Sequence, residues 1–488
     1  MSETESFGLV VLVVALVGLA AVFSNRLSER LRIPAPAIFL VSAAVASDLL
    51  PRLGGLRIET VERVVTVALA VILFDGGMRI GWRRLRPAAL ATAWIGVVGT
   101  LLCAAALALC AHLLFGIDWR VAFLLGTALA PTDPAVVFSV LGRREIGGRA
   151  GTLLEGESGA NDPVGITLLA AEVAAGGSGL HVAWTVTWQF ALQMAVGLAV
   201  GIVGGRLLVW LMRRVPLPSE ALYPLQVLAA AMAIYGLATV ARGSGFLAVL
   251  VAGVMMGDER MPYKAEIERF HSALASIAEV VAFILLGLTV QLAELADSDA
   301  WSIGLVLAVL LTLVIRPALV GLLLWPVRLR PGERAFILWT GLKGAVPILL
   351  GTFIVTGGVP GANRLYHIIF TVVAFSVIVQ GGLVLTMAHR FKVPLRTVEP
   401  EPWSLGVRFR HQPDALRRYN VAAGSPADGT TIGELPLEED AWVILVVRSG
   451  HLVPARASTR LDPGDEVVLL TDPSNDDSQR GLFEPRRR

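Results

Sequence analysis

The sequence predicts a polytopic α-helical membrane protein of about thirteen transmembrane helices, with inverted repeats and two discontinuous helices. A small C-terminal soluble α+β regulatory domain follows. Three observations predict this fold class. Apolar runs of spanning length succeed one another from residue 7 to residue 389. Arginine-rich loops alternate with arginine-poor loops along the same stretch. After Arg390 the long runs stop, and short alternating segments bounded by proline and glycine turns replace them.

The bulk composition agrees. Of 488 residues, 55% are hydrophobic and only 16% are charged, and the mean hydropathy is +0.69. These values belong to membrane bundles and exclude a soluble enzyme. A net charge of +2 gives no reason to expect a nucleic-acid partner. Residues Met1 to Ser6 lack the basic region of a signal peptide, so the first run is expected to be retained as a span. Cys103 and Cys110 lie seven residues apart in one apolar segment, a spacing that excludes a disulfide on a single helix. They read as packed or lipid-facing thiols. With no nucleophile–base constellation and no metal-ligand cluster in view, neither an enzyme nor a cofactor is expected.

The spans are centred in residues 7–23, 34–51, 60–78, 88–115, 119–141, 150–175, 183–212, 221–241, 244–257, 271–292, 301–326, 334–357 and 366–389. The second opens with Pro34 and Pro36, and the ninth is short for a full crossing. Loop charge supports keeping both. One set of alternate loops carries Arg26/Arg30/Arg32, Arg79/Arg83/Arg84/Arg86, Arg143/Arg144/Arg149, Arg213/Arg214, Arg260/Lys264, Arg328/Arg330/Arg334 and Arg390/Lys392/Arg396. The opposite loops are poorer in cations; only Arg52, Arg57 and Arg63 dilute the pattern, with Glu59 and Glu62 among them. Over thirteen spans this places the N-terminus outside and the C-terminus in the cytoplasm, in the inner (cytoplasmic) membrane.

Spans five and twelve carry helix-breaking residues at mid-depth. Span five has Pro131-Thr132-Asp133-Pro134, and span twelve has Gly341-Leu342-Lys343-Gly344-Ala345-Val346-Pro347. Proline removes a backbone donor and clashes with the preceding turn. Unwound backbone at membrane depth is tolerated only where it lines a cavity or is buried in protein. The two spans run in opposite directions, as two discontinuous helices meeting at a substrate site in an inverted repeat would.

The most informative stretch is Leu153-Leu154-Glu155-Gly156-Glu157-Ser158-Gly159-Ala160-Asn161-Asp162-Pro163 in span six. Asp162 falls about a dozen residues in, near the bilayer midplane. Desolvation penalises its charged form, so it can hold a proton or, once deprotonated, a dehydrated cation. Competition for one carboxylate is enough to couple the two fluxes. Asp133 lies between two prolines, where freed carbonyls and Thr132 offer the oxygen ligands that a hard alkali cation needs; capping the second half-helix is its alternative role. Asn161 is a neutral polar neighbour to the ion or an interhelical hydrogen-bonding group. Ser158 shares the Asp162 face and either ligates the ion, orients the carboxylate or packs. Glu157 requires a cation, and Lys343 and Arg316 are the candidate partners of a structural ion pair. Asp75, four residues before Arg79, is accounted for by a local pair. Glu172 and Glu279 are further intramembrane acids, and His112, His271 and His367 are expected near span ends. Gly197, Gly201 and Gly205 form a small-residue stripe suited to close helix packing or to a dimer interface.

Three motifs carry a resemblance. Thr132-Asp133-Pro134, Glu157-Ser158-Gly159-Ala160-Asn161-Asp162 and Gly341-Leu342-Lys343-Gly344-Ala345-Val346-Pro347 resemble, in order, spacing and span position, the monovalent cation:proton antiporter family of NhaP and NHE type. The resemblance covers roughly residues 7–391. It implies 13 spans with inverted repeats, a mobile core domain, a dimerisation domain and elevator-like alternating access. It makes Asp162 the alternating proton and cation carrier and puts Thr132 and Asp133 at the helix crossover. An asparagine–aspartate pair goes with electroneutral exchange in the family. Ala423 to Pro436 and Leu461 to Val468 look like the C-terminal lobe of TrkA/RCK regulatory domains, which dimerise and bind regulatory ligands. No glycine-rich dinucleotide fingerprint follows a strand here, so NAD binding is not implied. The combination resembles the bacterial potassium/proton branch. One departure stands out: the family usually has arginine where this chain has Lys343, and an ammonium cannot make the bidentate fork of arginine.

The expected organisation is a transmembrane exchanger domain over 1–391, a linker over 392–404, a cytoplasmic TrkA-C/RCK C-lobe-like domain over 405–475 and a disordered tail over 476–488. The expected activity is exchange of cytoplasmic potassium or sodium for external protons, with the ion at Asp162 and Asp133. The expected partners are these ions, the lipid bilayer, a second copy of the chain in a homodimer and a small-molecule regulator of the C-terminal domain. A ligand-gated potassium channel or efflux system is the first rival, but no selectivity-filter loop of the Thr-Val-Gly-Tyr-Gly kind is present. A transport-inactive membrane sensor is the second, and retention of Asp133 and Asp162 argues against it.

Overall fold

The computed structural model describes residues 34–49, 55–141, 144–146, 149–177, 179–259, 261–397, 416–437, 441–448, 451–470 and 476–484, with Gly18 and Leu19 besides. Apart from Gly18 and Leu19, the expected first span lies outside the described residues, as do the arginines that follow it and most of the linker. The chain divides into two units, Met1–Pro402 and Trp403–Arg488.

The first unit is helical. Its helices are α1 (Ala35–Leu49), α2 (Ile58–Leu85), α3 (Ala89–Phe115), α4 (Trp119–Leu129), α5 (Ala135–Leu141), α6 (Arg149–Ala175), α7 (Leu180–Arg214) and α8 (Leu222–Val240). They continue with α9 (Gly245–Gly257), α10 (Lys264–Leu288), α11 (Ala300–Leu323), α12 (Pro331–Trp339), α13 (Ala345–Thr356), α14 (Ala362–Gln380) and α15 (Val384–Arg390). Among the described residues, seven helices are long and apolar enough to cross a membrane: α2, α3, α7, α8, α10, α11 and α14. Four shorter apolar helices, α1, α4, α9 and α13, accompany them. Helix α6 is as long as these, at 27 residues, but carries Glu157, Asp162 and Glu172 on its membrane-depth turns.

Local chemistry explains the ends. Asp118 caps α4 by accepting the Arg120 N–H at 2.9 Å, and Ser244 caps α9 through the Leu247 N–H. Gly116 closes α3 in the left-handed conformation (φ 65°), which costs glycine little. The short helix α9 is almost wholly enclosed. A Cβ at Gly253 would collide with the Phe74 carbonyl of α2. On its other side, Cβ atoms at Gly197 and Gly201 of α7 would collide with the Ser244 and Ala248 carbonyls. The glycine stripe of α7 is thus used for packing within the chain.

Two features depart from expectation. Helix α10 begins at Lys264 rather than near residue 271. His271 therefore lies two turns inside it, buried, with Nδ1 2.9 Å from the Ile267 carbonyl and its ring 5.5 Å from that of Phe74. It is a packed core histidine, not an interfacial one. Asp75 is also buried, although it does pair with Arg79 at 2.8 Å.

A two-stranded antiparallel sheet joins distant parts of the first unit. Strand β1 (Arg144–Ile146), between α5 and α6, pairs with β2 (Leu395–Thr397), which follows α15. The register sets Arg144 opposite Thr397, Glu145 opposite Arg396 and Ile146 opposite Leu395.

The second unit contains β3 (Leu416–Asn420), β4 (Trp442–Arg448), β5 (His451–Val453) and β6 (Glu466–Leu470) in one antiparallel sheet, in the order β3-β6-β4-β5. Its core is formed by Tyr419, Val421, Ala427, Leu435, Val446, Leu461, Val467, Leu469 and Phe483. The stretch expected as a disordered tail contains a helix, α16 (Asp476–Phe483). Phe483 is buried and stacks on Tyr419 at 5.1 Å, and the Leu482 and Phe483 carbonyls accept the Ala427 and Ala422 N–H groups at 3.0 Å. The anchor is a single aromatic residue in a polar context, which composition alone does not reveal.

Candidate functional site: two crossed helix breaks

Span five unwinds between α4 and α5, and span twelve between α12 and α13. Each break exposes backbone groups that the bilayer cannot satisfy. The structure supplies partners from side chains that the sequence analysis had singled out, and from others besides.

The two breaks touch directly. The Asp133 N–H donates to the Leu342 carbonyl at 2.8 Å. The Asp133 carboxylate accepts the Ala135 N–H at 2.9 Å and also the Ala345 N–H. Asp133 therefore serves the N-terminal turns of both α5 and α13, where two helix dipoles present positive ends. A Cβ at Gly344 would collide with this carboxylate, so glycine is required by the closeness of the crossing.

The C-terminal ends of the other two half-helices receive cations. Lys343 is buried, and its Nζ donates to the Ala130 and Pro131 carbonyls at 2.7 and 2.8 Å, at the end of α4. Arg316 donates through Nε to the Leu338 carbonyl and through Nη2 to the Ile337 carbonyl, each at 3.1 Å, at the end of α12. Arg316 also makes a fork with Glu157, with Nη1–Oε1 at 2.8 Å and Nη2–Oε2 at 3.1 Å. Both side chains of this pair are only 5% exposed. Of the two candidate partners, Arg316 takes Glu157 and Lys343 takes the freed carbonyls.

Helix α6 braces the first break from the side. Asn161 accepts the Thr132 N–H at 3.3 Å through Oδ1 and donates to Thr132 Oγ1 at 2.7 Å through Nδ2. Ser158 donates to the Thr132 carbonyl. Pro163 within α6 lacks the N–H that would otherwise bond the Gly159 carbonyl one turn back. Asp162 stands beside this bracket, 6% exposed. Its Oδ1 is buried with no hydrogen-bond partner among the described residues, and Asp133 and Lys343 are the charged groups whose fields reach it.

Sequence reasoning missed Ser376 and Gln380 of α14. Ser376 accepts the Lys343 N–H at 2.8 Å and donates to Gln380 Oε1 at 2.9 Å, while Gln380 Nε2 donates to the Trp339 carbonyl at 2.5 Å. Two polar residues four apart on an apolar span were the available signal. Three π-helical turns also gather here. One in α3 (Trp94–Gly99) places Gly96 against Ala160 and the Glu157 carbonyl, one in α11 (Leu311–Ile315) ends at Arg316, and one in α14 (Ser376–Gln380) carries the two polar residues. Such turns often mark functional sites.

Two other intramembrane acids are not hydrogen-bonded to the residues of the crossing. Glu172 accepts the Thr127 hydroxyl at 3.0 Å. Glu279 of α10 has a buried Oε1 with no hydrogen-bond partner among the described residues. Among the described residues, no group of three or more His, Cys, Asp or Glu side chains could hold a metal ion. The crossing is not built as a transition-metal site. It offers one unpaired carboxylate and the spare lone pairs of the Thr132 and Ser158 hydroxyls, oxygen donors of the kind a hard cation takes.

Residues 11–389 match the family described as sodium/hydrogen exchanger, transmembrane. The chain belongs to the sodium/hydrogen exchanger family. Residues 416–477 match the TrkA-C domain. Among curated relatives of this exchanger, the K(+)/H(+) antiporter NhaP of Alkalimonas amylolytica is 31% identical over 473 residues, covering 96% of this chain and 82% of that one. The K(+)/H(+) antiporter NhaP2 of Shewanella sp. (strain MR-4) is 30% identical over 490 residues, covering 99% and 84%. The solved structure of the sodium proton antiporter MjNhaP1 from Methanocaldococcus jannaschii at pH 8 shares the exchanger fold. It superposes with a TM-score of 0.65 at 21% identity, covering 78% of this chain and all of that one.

Proposed function

We propose that this exchanger moves potassium, or sodium, out of the cytoplasm in return for external protons, and that Asp162 carries both in turn. The observation that carries the reading is the contrast among the buried charges at the crossing. Glu157 is tied to Arg316, Asp133 to two backbone N–H groups, and Lys343 to two carbonyls. Of these buried side chains at the crossing, Asp162 alone keeps an unpartnered buried oxygen. A carboxylate so placed favours being neutralised, and a proton or a monovalent cation does this equally well but not together. One carboxylate then exchanges one positive charge for another, so transport is electroneutral. The relatives named as potassium/proton antiporters support potassium as the first cation to test.

Asp133 and Thr132 form the near wall of the site, with Asn161 and Ser158 holding that wall to the helix that bears the carrier. The breaks let the crossing present Asp162 to one side of the membrane and then the other as the core moves against a dimeric scaffold. The exchanger works in the cytoplasmic membrane, with its N-terminus outside. The TrkA-C domain regulates it, and the chain that leads to that domain includes β2, which pairs with β1 between α5 and α6.

The test is proton movement in everted vesicles from cells lacking their own antiporters. With a pH gradient imposed, added potassium should collapse it for the wild type and not for Asp162→Asn. A response to sodium alone would keep the mechanism and change the cargo. Cation flux without proton movement would overturn the exchange reading.

A further inference from the structure

An open surface cavity of about 540 Å³ lies where α6 begins and where the connection from α11 enters α12, lined by the exposed Arg149, Arg328 and Arg330 with Leu329 and Glu333. Three guanidinium groups and one carboxylate line it. The carboxylate is already engaged, since Glu333 Oε2 accepts the Arg330 N–H at 3.0 Å as part of the cap of α12. None of the three arginines has an ion-pair partner among the described residues. The lining therefore holds a surplus of positive charge.

The surroundings set its depth. Trp325, 76% exposed, lies three residues before Arg328, and Leu322, 69% exposed, lies one turn earlier on α11. An outward tryptophan at the end of an apolar helix marks the headgroup level of a bilayer. The wall is also held in shape: Arg334 donates to the Val327 carbonyl at 3.3 Å and lies 6.0 Å from the Trp325 ring. Cytoplasmic arginines follow from the positive-inside rule alone, but that rule does not require three of them to converge around a single carboxylate.

We propose that this cavity binds a phosphate group, carried by an anionic phospholipid headgroup or by a soluble phosphate compound. Guanidinium forks match phosphate oxygens in pairs. A phosphate held between Arg149 and the Arg328–Arg330 pair ties the inner end of the Asp162 helix to the inner end of α12. It would thus act, from outside the crossing, on one of its arms and on the helix that braces the other.

The experiment uses the full-length protein in two arms. One counts phosphatidylglycerol retained in nanodiscs of phosphatidylcholine with a minor fraction of phosphatidylglycerol; the other titrates inorganic pyrophosphate in detergent. The triple variant R149Q/R328Q/R330Q should bind about a hundredfold more weakly than wild type. R149K/R328K/R330K, which keeps the charge and loses the forks, should fall between. R83Q/R84Q/R86Q, which removes three exposed arginines from the end of α2, should bind as wild type does. Binding of phosphatidylglycerol alone identifies the lipid as the source, and binding of pyrophosphate identifies a soluble one. The proposal is overturned if wild type binds neither probe, if the lysine and glutamine variants both bind as wild type does, or if the α2 variant loses as much as the cavity variant.

Discussion

The Asp133 N–H and the Leu342 carbonyl meet at 2.8 Å, so the two interrupted helices are joined backbone to backbone at the point where both are unwound. Everything proposed for transport depends on this junction and on the side chains that keep it open.

Gly344→Ala tests the closeness of the crossing. The added methyl would meet the Asp133 carboxylate and must displace it from two helix ends. Exchange should fall by at least about tenfold, because displacement at a built site costs this much or more. Gly236→Ala on α8, where a Cβ meets nothing within 4 Å, should transport as wild type in the same vesicles.

Glu157→Gln should be among the most destabilising single changes in the protein. It leaves the Arg316 charge buried and half-satisfied, at a cost of about 3–5 kcal/mol. Thermal unfolding in detergent measures it. A loss of transport with unchanged stability would instead assign Glu157 a direct part in ion movement.

Lys343→Met removes both donors from the Ala130 and Pro131 carbonyls. Each orphaned buried acceptor costs about 1–3 kcal/mol. Unfolding temperature and exchange rate should fall together, and Lys343→Gln, which can still serve one carbonyl, should fall less.

In the TrkA-C unit, burial pushes Asp465 up, but the Arg448 guanidinium and the Asp462 N–H outweigh it and hold the carboxyl below the usual carboxylate range. A carboxyl depressed in the folded state contributes stability above its unfolded value of about 3.9. That contribution is lost as pH falls through the folded value. Asp465→Asn should therefore weaken hydrogen-exchange protection of β6 at pH 7, with the gap to wild type closing below about pH 4.

The pairing of β1 with β2 predicts a cross-link. Glu145 and Arg396 are directly opposite, within the separation a disulfide needs. Glu145→Cys with Arg396→Cys should cross-link in oxidised membranes, whereas Glu145→Cys with Arg390→Cys should not. In the linked protein, deleting residues 403–488 should change exchange less than it does in the unlinked protein.

Much of this was legible in the residues. The breaks showed because Pro131, Pro134, Gly341, Gly344 and Pro347 contradict the apolar runs around them. Asp162 stood out because a carboxylate at mid-span needs a reason. The partner of Glu157 was not legible, since Lys343 and Arg316 both reach the right depth and the choice depends on which freed carbonyls lie beside each. The residues leave Asn161 open between a neighbour of the ion and an interhelical hydrogen-bonding group, and Ser158 between ligand, orienting group and packing; their hydrogen bonds go to Thr132. A sequence shows polar side chains at depth, but not the unwound backbone that competes for them. Ser376, Gln380 and the buried ring of Phe483 escaped for a related reason: each is a single residue whose importance lies in a tertiary contact.

The central claim is that one carboxylate holds the proton or the cation and never both. It is tested most directly by the potassium concentration giving half-maximal exchange, measured across pH in proteoliposomes. Competition at Asp162 predicts that this concentration rises about tenfold for each unit of acidification over the range where the site is protonated, with the maximal rate reached at saturating potassium and no exchange by Asp162→Asn. A half-maximal concentration indifferent to pH, or proton-coupled flux through Asp162→Asn, would contradict it.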